Sequence, residues 1–360
     1  MKKPIWKIRP ALGVIIVALL GLGLVPAASV YYSAAGGAMC ARCHEIRPAV
    51  AAWEHSSHRD VACQECHGGL LTFDVSFHLN NLSQLVKHLR GEIPQRVQLK
   101  ASQLPDMTQR CRQCHEQEYA EWKSGPHATT YADILLDEEH NRSRLLNDNC
   151  FRCHGMHYPG GIKNLVEPVS LEGPWRMVDE AWADQPMIPC MACHQIHTEG
   201  DPLPPRVDRA AVREAIASAT ATPSLALYDR RAEMHIAANQ LPLPPMQGPA
   251  GLLTVSPDPR QSVCYQCHAP LSNFEAGSAD DRTGMGVHEG ISCLACHQGH
   301  RQSARASCKT CHPALSNCGL DVETMDTTFR SPDSEHNIHF VSCEDCHPQG
   351  VPAPRDSRRL

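Results

Sequence analysis

The chain has 360 residues, of which 42% are hydrophobic, only 5% are aromatic and 28 are prolines. Aromatic side chains dominate the energetics of ordinary cores, so this composition argues against an interior built from protein side chains alone. The formal net charge is −6 and no basic run of the kind that binds nucleic acid is present, which argues against a nucleic-acid partner.

The N-terminus combines a basic stretch, which ends at Arg9, with an uncharged apolar run over Ala11–Val30. A run of this length suffices to cross a bilayer as a helix, and the basic flank predicts a cytoplasmic N-terminus. A cleaved signal peptide is the alternative, because small residues stand at Pro26–Ser29 and Gly37–Ala38. An uncleaved anchor is favoured, since the run is longer than the usual ~7–15-residue signal core. The expected location is the inner (cytoplasmic) membrane, with a single pass and the remaining chain in the periplasm.

The sequence Cys-x-x-Cys-His occurs nine times, and these copies are numbered motifs 1 to 9 in chain order. They use eighteen of the nineteen cysteines. The motif cysteines are Cys40, Cys43, Cys63, Cys66, Cys111, Cys114, Cys150, Cys153, Cys190, Cys193, Cys264, Cys267, Cys293, Cys296, Cys308, Cys311, Cys343 and Cys346. The motif histidines are His44, His67, His115, His154, His194, His268, His297, His312 and His347.

This motif is typical of c-type haem attachment, in which two thiols bond the haem vinyl groups and the histidine binds the iron. A zinc site built from two cysteine pairs and a disulfide framework are the alternatives. Neither requires a histidine directly after the second cysteine, and all nine copies have one. We therefore predict nine covalently attached haem c groups. Cys318 is left over, either as a buried thiol or as a functional or cross-linking one.

Nine haems, one per 40 residues, would supply the apolar mass that the side chains lack. The expected fold is mainly α with much loop and little β, packed around haems, with one N-terminal transmembrane helix. Without haem the chain is not expected to fold. Hydrophobic spacing predicts an amphipathic helix over Phe73–Leu89, and a second helix is predicted over Val207–Ala219. The expected segments are a cytoplasmic tip and anchor (1–33), a dihaem unit (34–105), a trihaem unit (106–206), a Pro-rich and helical linker (207–260) and a tetrahaem unit (261–360).

Thirteen of the 22 histidines lie outside the motifs and are candidates for the far faces of the irons. Some precede a motif, one follows motif 3, and others extend a motif to Cys-x-x-Cys-His-x-x-His. A histidine of the extended pattern cannot reach its own iron from the far face, so it is expected at a neighbouring iron or on a haem propionate. The predicted distal ligands are His58, His288, His339, His127, His157, His197 and His300. Weaker candidates are His55, His78, His88, His235 and His336.

The order of anchor, motif 1, the segment Trp53–His58 and motif 2 resembles the membrane-anchored quinol dehydrogenases of the NapC/NirT/NrfH type, over residues 1 to about 100. The resemblance implies that haem 1 takes electrons from a membrane quinol. The family's methionine ligand, two residues after the first motif histidine, is Ile46 here, so an empty or weakly held sixth position on haem 1 is a hypothesis. Trp122 and His127 repeat the Trp53–His58 arrangement, and residues 106–200 resemble cytochrome c554 and octahaem oxidoreductases.

These observations predict an electron relay from the membrane quinol pool to a periplasmic or outer-membrane redox protein, with no catalytic residue assigned. The alternative is a terminal multihaem reductase or oxidoreductase that acts on a nitrogen or sulfur compound. Such an enzyme needs an iron with an open face, whereas the thirteen additional histidines favour closed irons.

Overall fold

The computed structural model describes residues 8–35, 38, 40–42, 44–68, 75–92, 99–197, 225–243, 245–269, 281–300, 338–342, 344 and 349–350. The chain divides into two compact units, formed by residues 1–111 with 196–199 and by residues 112–195 with 200–360. They are called unit 1 and unit 2. Outside the described residues lie motif 8, most of motif 9, Cys318 and the predicted helix over Val207–Ala219.

The described part of unit 1 is helical. The helices are α1 (Ile8–Ala35), α2 (Arg47–Glu54), α3 (Cys63–His67), α4 (Val75–Arg90) and α5 (Leu104–Arg112). Helix α4 forms within one or two residues of the helix predicted from the hydrophobic spacing. It ends where Gly91 adopts a φ of +70°, the left-handed conformation that commonly terminates helices.

The predicted membrane anchor over Ala11–Val30 is wrong. Among the described residues, no helix combines the length and the apolar character needed to cross a bilayer. The run includes Gly13, Gly21, Gly23 and Pro26, which contribute little apolar side-chain surface. The predicted single-pass location in the inner membrane, with the remaining chain in the periplasm, is corrected with it.

Unit 2 is built from short helices, loops and small sheets. Its described helices are α6 (Glu116–Lys123), α7 (Tyr131–Leu135), α8 (Glu138–Ser143), α9 (Ile162–Leu165), α10 (Cys190–Cys193), α11 (Gln261–Tyr265) and α12 (Cys293–Cys296). Three antiparallel strand pairs join β1 (Val166–Glu167) to β2 (Arg176–Met177), β3 (Ala226–Asp229) to β4 (Met234–Ala237) and β5 (Gln247–Gly248) to β6 (Gly251–Leu252). The described chain is thus mostly helical, with loops and small sheets.

Unit 2 contains a side-chain core despite the low aromatic content of the chain. Five rings form what we call the aromatic core, and two of its contacts, from Trp182 to Tyr131 and to Tyr158, are edge-on with centroids 5.3 and 5.2 Å apart. Phe151, which lies between the cysteines of motif 4, belongs to this core and is completely buried. The core therefore fixes the position of motif 4. The aromatic core consists of Tyr131, Phe151, Tyr158, Trp175 and Trp182.

Candidate haem sites

Motifs 2 and 4 to 7 each form about one turn of helix. In motif 2 this turn is helix α3, and in motifs 4 to 7 the backbone N–H of the histidine donates to the carbonyl of the first cysteine. The donor–acceptor distances are 2.8 Å for His154, 3.0 Å for His194, 2.8 Å for His268 and 2.8 Å for His297. Residues three apart on a helical turn are neighbours on one face, so both thiols of a motif point to the same side.

The residues between the paired cysteines hold these turns in the protein interior. Ala192 of motif 5 is fully buried in a cluster with Leu227 and Val263, the residue before motif 6. In motifs 4 and 5, a buried residue between the two cysteines holds the turn against the interior. None of the twelve cysteines that the structure describes is in a disulfide.

Four motif histidines lie opposite a second histidine. The ring centroids are 5.9 Å apart in the pair His67–His197, 6.1 Å in His268–His127, 5.9 Å in His194–His300 and 6.2 Å in His297–His339. The interplanar angles are 35°, 30°, 26° and 7° in the same order. Each pair therefore joins a motif histidine to a predicted distal ligand.

The separation within these pairs matches a metal ion held between two imidazoles. Imidazole nitrogens bind metals at about 2.0–2.1 Å, which places the centroids of two rings on opposite sides of one ion about 6.3 Å apart. Direct ring stacking is much closer, as His157 and Tyr228 show with centroids 4.0 Å apart. The four pairs thus fit an iron with histidine on both faces, and the cysteines beside them fit haem attachment.

His157 also carries the features of a metal ligand. Only 8% of the residue is exposed, it hydrogen-bonds the backbone of Met191, and its Nε2 is buried with no hydrogen-bond partner among the described residues. A buried polar atom without a partner is costly unless something binds it. The nearby His235 differs, because its Nε2 donates to the Met191 carbonyl at 2.7 Å. His157 therefore offers a nitrogen to an iron, whereas the Nε2 of His235 is already engaged.

The buried histidines are uncharged at neutral pH. Burial lowers the pKa of His127 to about 4, with smaller contributions from neighbouring charges such as that of His268. Burial likewise lowers the pKa of His157 to about 4, with His235 adding to the effect. A neutral imidazole has the lone pair that a metal requires.

The sites of unit 2 are close neighbours. His127 lies near enough to His154 and His300 for their charges to affect its pKa, and His300 is related in the same way to His115. Thiols of different motifs also touch, since Cys264 hydrogen-bonds Cys293. Cys267 of motif 6 likewise forms a hydrogen bond with Cys153 of motif 4. Motifs 3 to 7 therefore contribute to one contiguous group of sites.

In unit 1, the structure brings the weaker candidate His88 and the unpredicted Glu45 next to His44 of motif 1. His88 lies opposite His44 of motif 1, with ring centroids 5.6 Å apart at 53°. Glu45 contacts both rings, and no sequence argument singled it out. The signal was available in part, because His88 lies in the last turn of α4, which the hydrophobic spacing predicted.

The other predicted ligands are placed as follows. Nδ1 of His58 lies 3.3 Å from the Ser57 hydroxyl, and Nδ1 of His288 lies 2.9 Å from the Ile338 carbonyl oxygen. Their role as ligands stays a prediction. Several predicted residues, or their side chains, lie outside the described part of the chain, namely Cys40, Cys43, Cys308, Cys311, His312, Cys343, Cys346 and His347, together with the weaker candidates His78 and His336.

Paired cysteines followed by a histidine, together with histidine pairs separated by the width of a metal ion, are typical of multihaem c-type cytochromes. Two family models support this class. The model described as Cytochrome c554 and c-prime matches residues 110–171, which contain motifs 3 and 4. The model described as Cytochrome c3 matches residues 253–313, which contain motifs 6 to 8. These matches imply covalently bound haem c. No curated protein and no solved structure matches the chain. Neither match reaches the N-terminal part, so its likeness to quinol dehydrogenases stays a prediction.

Proposed function

We propose that this protein is an electron relay that carries nine haem c groups, most of them held between two histidines. The observation that carries the proposal is the set of four motif histidines that each lie about 6 Å from a second histidine. When bound, haem c supplies one-electron redox chemistry. The two cysteines of a motif would hold the haem covalently, and the paired histidines would bind its iron. A closed site of this kind transfers electrons without binding a substrate at the metal.

The hydrogen bonds around the ligands support this role. Nδ1 of His197 lies 2.8 Å from the Ala49 carbonyl oxygen, which can only accept, so Nδ1 carries the proton. Nε2 is then the nitrogen that has the lone pair which a metal requires. Such an outer hydrogen bond fixes the orientation of a ligand before the metal binds, and it helps to keep the site closed.

The partners belong to the proposal as well. A quinol donor is supported by the resemblance of the segment Trp53–His58, and a relay of this kind needs a second redox protein as its electron acceptor. The alternative, a terminal reductase for a nitrogen or sulfur compound, requires an iron whose sixth position exchanges with solvent. No described site favours that alternative.

The number of haems is tested by intact mass spectrometry of the fully matured protein. We expect nine haems in the wild type and eight after Cys293→Ala/Cys296→Ala. A matched control, Cys318→Ser, should retain all nine, because Cys318 lies outside the motifs. A wild-type count below nine would contradict the proposed number.

The relay is distinguished from the reductase by the spin state of the ferric irons and by turnover. We expect spectra dominated by low-spin haem and no reduction of nitrite, hydroxylamine or sulfite by the chemically reduced protein beyond the rate of a haem-free control. A high-spin haem together with rapid turnover of one of these substrates would favour the reductase.

A further inference from the structure

The guanidinium of Arg110 lies against the end of motif 2. Its Nη2 and Nη1 atoms are 3.3 and 3.4 Å from the point that a Cβ on Gly68 would occupy, and Gly68 directly follows His67. Gly68 has no side chain and a φ of +82°, so it leaves room for this close approach. Arg110 comes from helix α5 and directly precedes motif 3. Its side chain therefore reaches from the start of one motif to the end of another.

The side chains that would hold a haem at motif 2 all belong to the described chain. Cys63 and Cys66 lie on helix α3, and the rings of His67 and His197 have centroids 5.9 Å apart. This separation fits an iron between the two imidazoles. Haem 2 is therefore a site at which the effect of a neighbouring charge can be argued from the structure.

The charge of Arg110 acts on this site. Desolvation lowers the pKa of His67, and the charges of His197 and Arg110 lower it further. An arginine side chain stays protonated across the pH range in which proteins are folded. Among the described residues, no carboxylate forms an ion pair with Arg110. This part of the chain therefore leaves a positive charge beside motif 2.

We infer that Arg110 raises the redox potential of haem 2 through its charge. The inference rests on the proposed function, because it requires haem at motif 2. Ferric iron carries one more positive charge than ferrous iron, so a nearby cation disfavours the ferric state. Unit charges roughly 10 Å apart near a protein surface change an equilibrium by about tenfold. A tenfold change in the ferric-to-ferrous preference corresponds to about 59 mV in a one-electron midpoint potential.

The test is a spectroelectrochemical titration of the holoprotein. Arg110→Gln should lower one midpoint potential by about 59 mV, whereas Arg110→Lys keeps the charge and should retain most of the wild-type value. Intact mass should show the wild-type number of haems in both variants. An unchanged midpoint in Arg110→Gln would overturn the inference. An equal shift in both variants would also overturn it, because loss of the side-chain contact rather than of the charge would then be responsible.

A second background assigns the shift to haem 2. His197→Ala should make haem 2 high-spin, so that its absorbance can be followed separately from that of the low-spin haems. In this background, Arg110→Gln should lower the midpoint of the high-spin haem. A shift confined to low-spin haems would overturn the inference, because Arg110 would then act on another site.

Arg59→Gln is the matched control for the loss of a cation from unit 1. The Arg59 side chain is 56% exposed and lies 4.0 Å from the Asp60 carboxylate. Water, salt and this carboxylate screen its charge, so its removal should shift no midpoint by as much as Arg110→Gln does. An equal shift in Arg59→Gln would contradict a specific role for Arg110.

Peptide mapping of the wild type separates failure of this inference from failure of the proposed function. Haem bound to Cys63 and Cys66, with a midpoint that Arg110→Gln leaves unchanged, contradicts the inference alone. Absence of haem from these cysteines contradicts both.

Discussion

Replacing Gly286 by alanine should open the site of motif 7 without touching a ligand. Two backbone hydrogen bonds flank this glycine, from Met285 N–H to the His339 carbonyl at 2.7 Å and from Val287 N–H to the Val341 carbonyl at 2.9 Å. They hold residues 338–342 where His339 faces His297 of motif 7, with the two rings within 7° of parallel. The position of this ligand therefore depends on a close approach of two backbone segments.

The structure gives the size of the effect. Gly286 has a φ of +68°, and a Cβ there would lie 2.9 Å from the carbonyl carbon of Val341 and overlap its oxygen. A side chain in the left-handed region costs roughly 1–2 kcal/mol. Escape from the overlap breaks two backbone hydrogen bonds, worth about 1 kcal/mol each. The packing of residues 338–342 against Met285–Val287 should therefore be destabilised by about 3–4 kcal/mol. This corresponds to a change of more than about a hundredfold in the equilibrium between the packed and the detached segment.

The assay is electron paramagnetic resonance of the oxidised holoprotein, which counts high-spin haems. Gly286→Ala should produce one high-spin haem, as should His339→Ala, the positive control. Gly91→Ala is the matched control, because Gly91 has a φ of +70° but nothing within 4 Å of an added Cβ. The reasoning is refuted if Gly286→Ala and Gly91→Ala both give the wild-type spectrum while His339→Ala does not.

Three further substitutions test other parts of the chain. His197→Ala should make one haem high-spin because His197 faces His67, and added imidazole should restore the low-spin signal. A variant with the wild-type spectrum would contradict the pairing of these two histidines. Trp122→Phe removes the hydrogen bond from the indole to the Ile188 carbonyl, 3.0 Å long, and should destabilise the holoprotein by about 1–3 kcal/mol in denaturant titrations. Burial alone would raise the pKa of Asp258, but hydrogen bonds from Arg260 and Ser292 hold it below its usual range. The stability that this ionised group contributes is present above the unfolded pKa of about 3.9 and is lost as the pH falls through the lower folded value. Asp258→Asn should therefore be less stable than the wild type at pH 7, and the difference should disappear in acid.

Local features could be predicted from the sequence because each depends on residues close together in the chain. The spacing of apolar residues was enough to predict α4, and Cys-x-x-Cys-His was enough to predict one turn with both thiols on the same side. The extended motif predicted that His197 and His300 reach a different motif, and both lie opposite the histidine of another one. In each case the chemistry of a short segment restricts where its side chains can point.

The assignment of each distal histidine to a particular iron could not be predicted. It depends on segments that are far apart in the chain, as with His268 and His127, which no local periodicity connects. Glu45 was missed because a carboxylate beside a motif histidine has no spacing rule of its own. The anchor was wrongly predicted because the run Ala11–Val30 was judged by its length and its lack of charge, although three glycines and a proline interrupt its apolar side chains.

Composition alone also did not show that the interior contains two kinds of region, a core of side chains and sites that fit a metal. The low aromatic content averages over the whole chain, yet aromatic rings gather around Phe151 in the aromatic core. That part of unit 2 buries its apolar surface with side chains, as an ordinary domain does. Around His67 and His197 the ring centroids instead lie 5.9 Å apart, a separation that fits a metal ion between the two imidazoles. The same chain thus combines a core that side chains stabilise with sites that require a metal to join distant segments. This division explains why motif 4 is anchored by Phe151, whereas hydrogen bonds such as that from His197 to the Ala49 carbonyl orient the rings of the ligand pairs.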